Sequence, residues 1–258
     1  MNPAHWAIGL SIALFAGMML CLDAGFRIGR QSAAKDPAQS HEGVGAIEAA
    51  IFALLGLLLG FTFAGATSRL DARRQLIISE ANAIGTAYLR LDLVPSNEQA
   101  ELRGLFRNYI DSRLRAYEKL PDRRAFDSEL EMATQTQQQI WARSVIAAKA
   151  DNSQNVARLL LPALNEMIDV TTARSVALNT HLPGLIFALL IAIALLSALV
   201  AGYALGQRKN RTLLHMLLYA AVISMSIYAV LDLEYPRFGL IHLERADRVL
   251  VQLRDSIR

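Results

Sequence analysis

The residues best able to do chemistry lie in the charged middle of the chain, beside apolar helical positions: Glu80, Asn82, Arg90, Asp92, Asn165, Glu166, Asp169 and Arg174. Carboxylates, amides and guanidiniums in such places serve one of two ends. They pair with one another and fix the register of packed helices, or they leave donors and acceptors facing a ligand. On sequence alone both readings stand, the first being the commoner. Two more acids, Glu48 and Asp232, are the ones nearest the long apolar stretches. Copies of either around an axis would make a ring of charge at a pore mouth, and a single copy would pair with a nearby Arg at the membrane surface.

Catalytic patterns are missing. The histidines, His5, His41, His181, His215 and His242, show no HxxxH or HExxH spacing, so no helix face offers two metal ligands one turn apart. There is no glycine-rich phosphate loop and no GxSxG turn. The single Cys21 excludes an internal disulfide and a CxxC site. His215, four residues past the basic run Arg208-Lys209-Asn210-Arg211, is either a proton-relay residue or an interfacial histidine. These residues call for no enzyme, no cofactor and no metal.

The elements that must position these groups follow from where charge is absent. Met1–Leu22, Ala49–Ser68, Ser175–Gln207 and Thr212–Leu231 contain no Asp, Glu, Lys or Arg. About 20 helical residues at 1.5 Å each cover the roughly 30 Å of a bilayer core, and every one of these stretches reaches that length. A secreted or cytosolic globular enzyme is thereby excluded. Thr67–Thr180 is different material, holding 15 of the 26 basic and 14 of the 23 acidic residues. The net charge of +3 therefore marks no nucleic-acid binder. The opening Met-Asn-Pro-Ala-His lacks the cations of a signal peptide and reads as a retained first helix.

The expected architecture is all-α, with four transmembrane helices and a helical extramembrane insert between the second and third. Residues 1–66 hold the first two spans, 67–180 the insert, 181–233 the last two spans and 234–258 an amphipathic tail. Asp23–Gly43, with Gly25, Gly29 and Pro37, reads as an exposed loop. The second helix starts near Val44, leaves the membrane without a break and stops before Pro95. Ser96-Asn97-Glu98-Gln99 supplies a cap for the next helix, and Pro121-Asp122 and Asp151-Asn152-Ser153 are the later breaks. The third apolar stretch reads as a continuation of the last insert helix. Along the second span Ala46, Ala49, Ala53, Gly56, Gly60 and Ala64 share one face, and Gly56 and Gly60 form a GxxxG element for close helix packing. Orientation stays open on charge. Arg27, Arg30, Lys35, Arg208, Lys209 and Arg211 on one side oppose Arg69, Arg73, Arg74, Arg174, Arg237, Arg245 and Arg248 on the other.

The run Ser79-Glu80-Ala81-Asn82-Ala83-Ile84-Gly85-Thr86-Ala87-Tyr88-Leu89-Arg90-Leu91-Asp92-Leu93-Val94-Pro95 resembles a signature of bestrophin-like bacterial membrane proteins. Arg103 with Tyr109, Leu164-Asn165-Glu166-Met167-Ile168-Asp169 with Arg174, and Pro236 with Gly239 agree, so the resemblance spans most of Ser68–Leu250. It implies a multi-pass protein of the bacterial inner membrane with insert and termini in the cytoplasm. It also implies a homo-oligomer, by analogy a pentamer, conducting inorganic ions, anions above all, along its second helices. The bestrophin calcium clasp is not matched, because no three consecutive acids follow the fourth helix. For a pore, Leu55, Leu59 and Phe63, with Glu48 at the mouth, form the candidate line, since rings of such side chains gate by dewetting. The same residues would equally face lipid or neighbouring helices. The rival to a channel is a membrane-anchored helical sensor or scaffold that relays a signal to a partner protein. Its partners would then be the bilayer and that protein, with no nucleic acid in either case.

Overall fold

The computed structural model describes residues 3–35, 44–120, 122–151, 154–207, 213–236, 239–241 and 244–257. All secondary structure among them is helical: α1 (Pro3–Lys35), α2 (Val44–Leu89), α3 (Ser96–Glu118), α4 (Arg123–Ala150), α5 (Leu161–Asn179), α6 (Gly184–Gln207), α7 (Leu213–Glu234) and α8 (Glu244–Ser256). Four stretches of helix are long and apolar enough to cross a membrane. The chain forms two compact units, Met1–Leu70 with His181–Ile241, and Asp71–Thr180 with His242–Arg258.

The first unit is built from α1, the start of α2, α6 and α7. Its core joins Leu14, Met18 and Leu22 of α1 to Leu190, Ala194 and Ala198 of α6 and to Met216, Ala220 and Ile227 of α7. The expected loop from Asp23 is helix as far as Lys35. Two things carry the helix on. Asp23 and Arg27 pair at 2.7 Å across one turn, and Gly25 and Gly29 are seam residues against α6. A Cβ on Gly25 would lie 2.0 Å from the Leu199 carbonyl oxygen, and one on Gly29 2.1 Å from that of Tyr203. In return, Cβ atoms on Gly202 and Gly206 would lie 2.2 Å from the carbonyl oxygens of Leu22 and Phe26. Such backbone-to-backbone approach is what small residues four apart allow in lipid. The remainder of the loop, and the basic run 208–211, lie outside the described residues, as do His41 and His242.

In the second unit α2 passes into a 3-10 turn, Arg90–Leu93, and ends before Pro95 as expected. Ser96 does not cap α3 with its side chain; it already occupies the first turn. Gln99 Nε2 instead donates to the Val94 carbonyl at 2.7 Å. Asp122 does cap α4, accepting from the backbone N–H of Arg124 at 3.0 Å and Ala125 at 3.2 Å. Asp151 accepts from Val156 N–H at 2.9 Å, where a π turn, Val156–Leu160, leads into α5.

The third apolar stretch is not one helix. α5 ends at Asn179, Thr180 is extended (φ −88°, ψ 113°), and α6 starts at Gly184. Pro183 excludes helical geometry at Leu182. The freed Leu182 N–H then donates to Glu234 Oε2 at 3.3 Å. So α2 continues from an apolar stretch into charged sequence, whereas α5 and α6 are separate rods.

Candidate functional site

The second unit encloses charge. Glu80 on α2 is fully buried and accepts from two guanidiniums that are themselves 3% exposed. Arg113 Nε on α3 donates to Oε1 at 2.7 Å, and Arg174 Nη1 on α5 donates to Oε2. Arg174 Nη2 stands 3.7 Å from Asp247 Oδ1 on α8, and the Arg174 guanidinium lies 4.3 Å from the centre of the Tyr117 ring. Burial raises the Glu80 carboxyl, but the two arginines more than reverse this and hold it below the usual carboxylate range. Nearby, the buried Tyr109 hydroxyl shares a hydrogen bond with Thr171 Oγ1 at 3.0 Å. Burial pushes that phenol up to about 12. Glu80 and Arg174 are thus brought together as a register lock across α2, α3, α5 and α8.

The other polar residues singled out by sequence are placed elsewhere. Asn82, Asn165, Glu166 and Asp169 are exposed. Arg90 Nη1 donates to the Leu159 carbonyl at 2.6 Å, which ties the 3-10 turn to the π turn. Asp92 is exposed and pairs with Arg103.

In the first unit Asp232, 6% exposed, pairs with no arginine among the described residues. Its carboxylate accepts the backbone N–H of Leu240 at 3.0 Å and of Ile241 at 3.1 Å, which ties residues 240 and 241 to α7. Gly239 is required there, since a Cβ would fall 1.5 Å from Asp232 Oδ1. The membrane-edge ion pair is made two residues later. Glu234, fully buried, accepts from Arg69 Nε at 2.6 Å and lies 3.8 Å from His181 Nδ1, whose ring stacks on Tyr235.

The proposed pore line divides. Leu55 is 2% exposed and belongs to the unit's own core, Leu59 is half-buried against that core, and Phe63 is 49% exposed. By contrast Ala49, Ala53, Gly56, Gly60 and Ala64 are all exposed, and a Cβ on Gly56 or Gly60 would meet nothing within 4 Å. Glu48 is half-buried and lines a cavity with His215. Among the described residues no group of three or more His, Cys, Asp or Glu is placed to hold a metal ion.

A family model, the Bestrophin-like domain, matches residues 16–246. The chain belongs to the Bestrophin-like family. Its fold is shared with the crystal structure of a bacterial bestrophin homologue from Klebsiella pneumoniae, at 15% identity and a TM-score of 0.64 over 94% of this chain and 98% of that one. A second crystal structure, described as a membrane protein, gives 16% identity and a TM-score of 0.63 over 92% and 97%. A search of curated proteins found no match. The chain is therefore a helical membrane protein of the Bestrophin-like family.

Two residues that organise this bestrophin-like chain were missed by the sequence reading, Arg113 and Glu234. Arg113 had a signal. It falls three after Ile110 and four after Tyr109, inside the apolar stripe of α3, and a cation on such a stripe requires a buried carboxylate. Glu234 had a weaker one, because two acids two residues apart on α7 point in different directions and spacing does not say which meets an arginine.

Proposed function

We propose that this bestrophin-like protein assembles with copies of itself, five by analogy, into an anion channel of the bacterial inner membrane. The observation that carries the reading is the open face of α2. One side of this helix packs into its own chain through Leu55, Leu58 and Leu59. The other leaves Ala49, Ala53, Gly56, Gly60 and Ala64 exposed, with no described residue within 4 Å of a Cβ on Gly56 or Gly60. A face so small gains little from lipid tails and lets identical helices crowd around an axis. Phe63 stands two turns after Gly56 at the edge of that face, and its ring is the constriction, excluding water when the rings close together. The fold shared with the Klebsiella pneumoniae homologue supports this reading, and by the same analogy the insert and both termini are cytoplasmic.

Planar-bilayer recording on the purified oligomer tests it. Anion-selective current that rises when Phe63→Ala widens the ring is the expected result. A well-folded oligomer that passes no selective current ends the channel reading, and a monomeric mass in nanodiscs ends the central pore. A reporter fused after Arg258 that is active in the periplasm reverses the orientation.

A further inference from the structure

The first unit has a second feature where α2 meets α7. Phe52 on α2 and Tyr219 on α7 meet edge to face, with ring centroids 6.1 Å apart. Glu48 precedes Phe52 by four residues and His215 precedes Tyr219 by four, so each ionisable side chain stands one helical turn before its ring. All four line one cavity of about 380 Å³, walled on its other sides by apolar residues of α1 and α6 such as Leu22 and Ala204. That volume lies within the usual range of small-molecule sites.

The polar groups that line it are unevenly committed, and His215 is exposed. The Tyr219 hydroxyl is held, donating to Ser197 Oγ at 2.7 Å. Glu48 and His215 make no hydrogen bond or ion pair among the described residues. At the edge of a charge-free stretch, a carboxylate that no described residue pairs is a candidate functional group. It repels anions and attracts a cation. The neighbouring aromatic rings favour a cation too, through their electron-rich faces. An imidazole offers one acceptor nitrogen to an N–H donor. Two side chains are too few to hold a metal ion, and a bare lipid tail would leave the carboxylate without a partner.

We propose that this cavity binds a hydrophobic monoamine, its ammonium group between Glu48 and His215 and its apolar body packed over Phe52 and Tyr219. The site is closed to amino acids by their own carboxylate and to simple cations by the apolar walls.

The test is a set of three probes sharing one body: tryptamine (cation), 3-ethylindole (neutral) and indole-3-propionate (anion). Each is titrated calorimetrically into the full chain in lipid nanodiscs at pH 8. Tryptamine is expected to bind saturably, at least tenfold tighter than 3-ethylindole, with no binding of the acid. Glu48→Gln keeps the shape and is expected to abolish the tenfold preference, and Ala204→Leu, which fills the cavity, to weaken both bound probes. Equal binding of tryptamine and 3-ethylindole, or a preference that survives Glu48→Gln, overturns the proposal and leaves a cavity for apolar chains alone. If Glu48→Gln does not fold, the probe series on the unaltered chain and on Ala204→Leu still decides. Because binding is read without current, its failure and that of the channel reading are told apart.

Discussion

The same four-residue glycine repeat occurs at Gly25 and Gly29 in α1, at Gly202 and Gly206 in α6 and at Gly56 and Gly60 in α2, with opposite surroundings. In the α1–α6 seam each glycine is closed over by a carbonyl of the facing helix, about 2 Å from where a Cβ would stand. On α2 the equivalent space is empty to 4 Å. The repeat therefore states that a backbone is allowed to come close and does not state whose backbone. In the seam the partner is within the chain; on α2 no described residue supplies one. That difference separates residues that make the fold from residues free to make an assembly.

The strongest way to break the contrast is to fill the seam. Gly25→Leu or Gly202→Leu sets a side chain against a backbone carbonyl, which has no rotamer to change. The cost is expected to exceed the roughly 1–3 kcal/mol of ordinary overpacking. Little monodisperse protein should be recovered from detergent, judged by size-exclusion chromatography. Normal yield and thermal midpoint for Gly25→Leu would mean that the seam is not where the unit is held.

The two faces of α2 in the charged unit repeat the contrast with polar groups. Glu80 is sealed between Arg113 and Arg174, while Asn82, two residues on, is exposed. Glu80→Ala leaves two buried guanidiniums without their carboxylate and is expected to cost about 3–5 kcal/mol. Asn82→Ala should stay within about 0.5 kcal/mol. Chemical denaturation of the full chain measures both. Acid acts on the same bond. The Glu80 carboxyl titrates below its ordinary value of 4.5 in the folded chain, so its stabilisation is complete above that value and is lost as the pH falls beneath it.

How much of this was legible differs from one residue to the next, for physical reasons. The breaks before α3 and α4 rest on local chemistry, so Pro95 and Asp122 declared themselves. The Glu80–Arg174 pair was legible as polar residues on apolar faces. Gly25 and Gly29 were misread as loop because Arg27, Arg30 and Lys35 surround them, and their partner helix begins more than 150 residues away. Leu55 and Gly56 are neighbours in sequence, yet one is in the core and the other open. Both are apolar, so hydropathy has nothing with which to order the faces of a helix that is apolar all round.

A smaller effect comes from Tyr109, on the sealed side of α3. The unfolded chain gives up this proton near pH 10.0, while the folded one holds it to about 12. The stability it protects is intact below pH 10.0 and falls as the pH climbs between the two values, by about 2–3 kcal/mol. Tyr109→Phe should remove that slope, at a cost near neutral pH of about 1 kcal/mol for the hydrogen bond to Thr171. An alkaline denaturation series comparing the two proteins reads the difference. Equal slopes would place the ring in contact with water.

The least change in stability belongs to α2's open glycines, and there the contrast is sharpest. Gly60→Ala adds a methyl where a Cβ meets nothing within 4 Å. Within one chain it should leave stability unchanged or raise it by up to about 1 kcal/mol through helix propensity. Gly60→Leu should be tolerated by the single chain for the same reason. In the proposed assembly the prediction reverses, because a leucine on a face that identical helices share would hold their backbones apart. Mass measurement in nanodiscs should then show Gly60→Leu shifted toward smaller species, with a thermal midpoint near that of the parent under conditions where both are monomeric. An intact oligomer with unaltered current would show that α2 turns this face to lipid, and the partner of its glycine repeat would have to be sought on another helix.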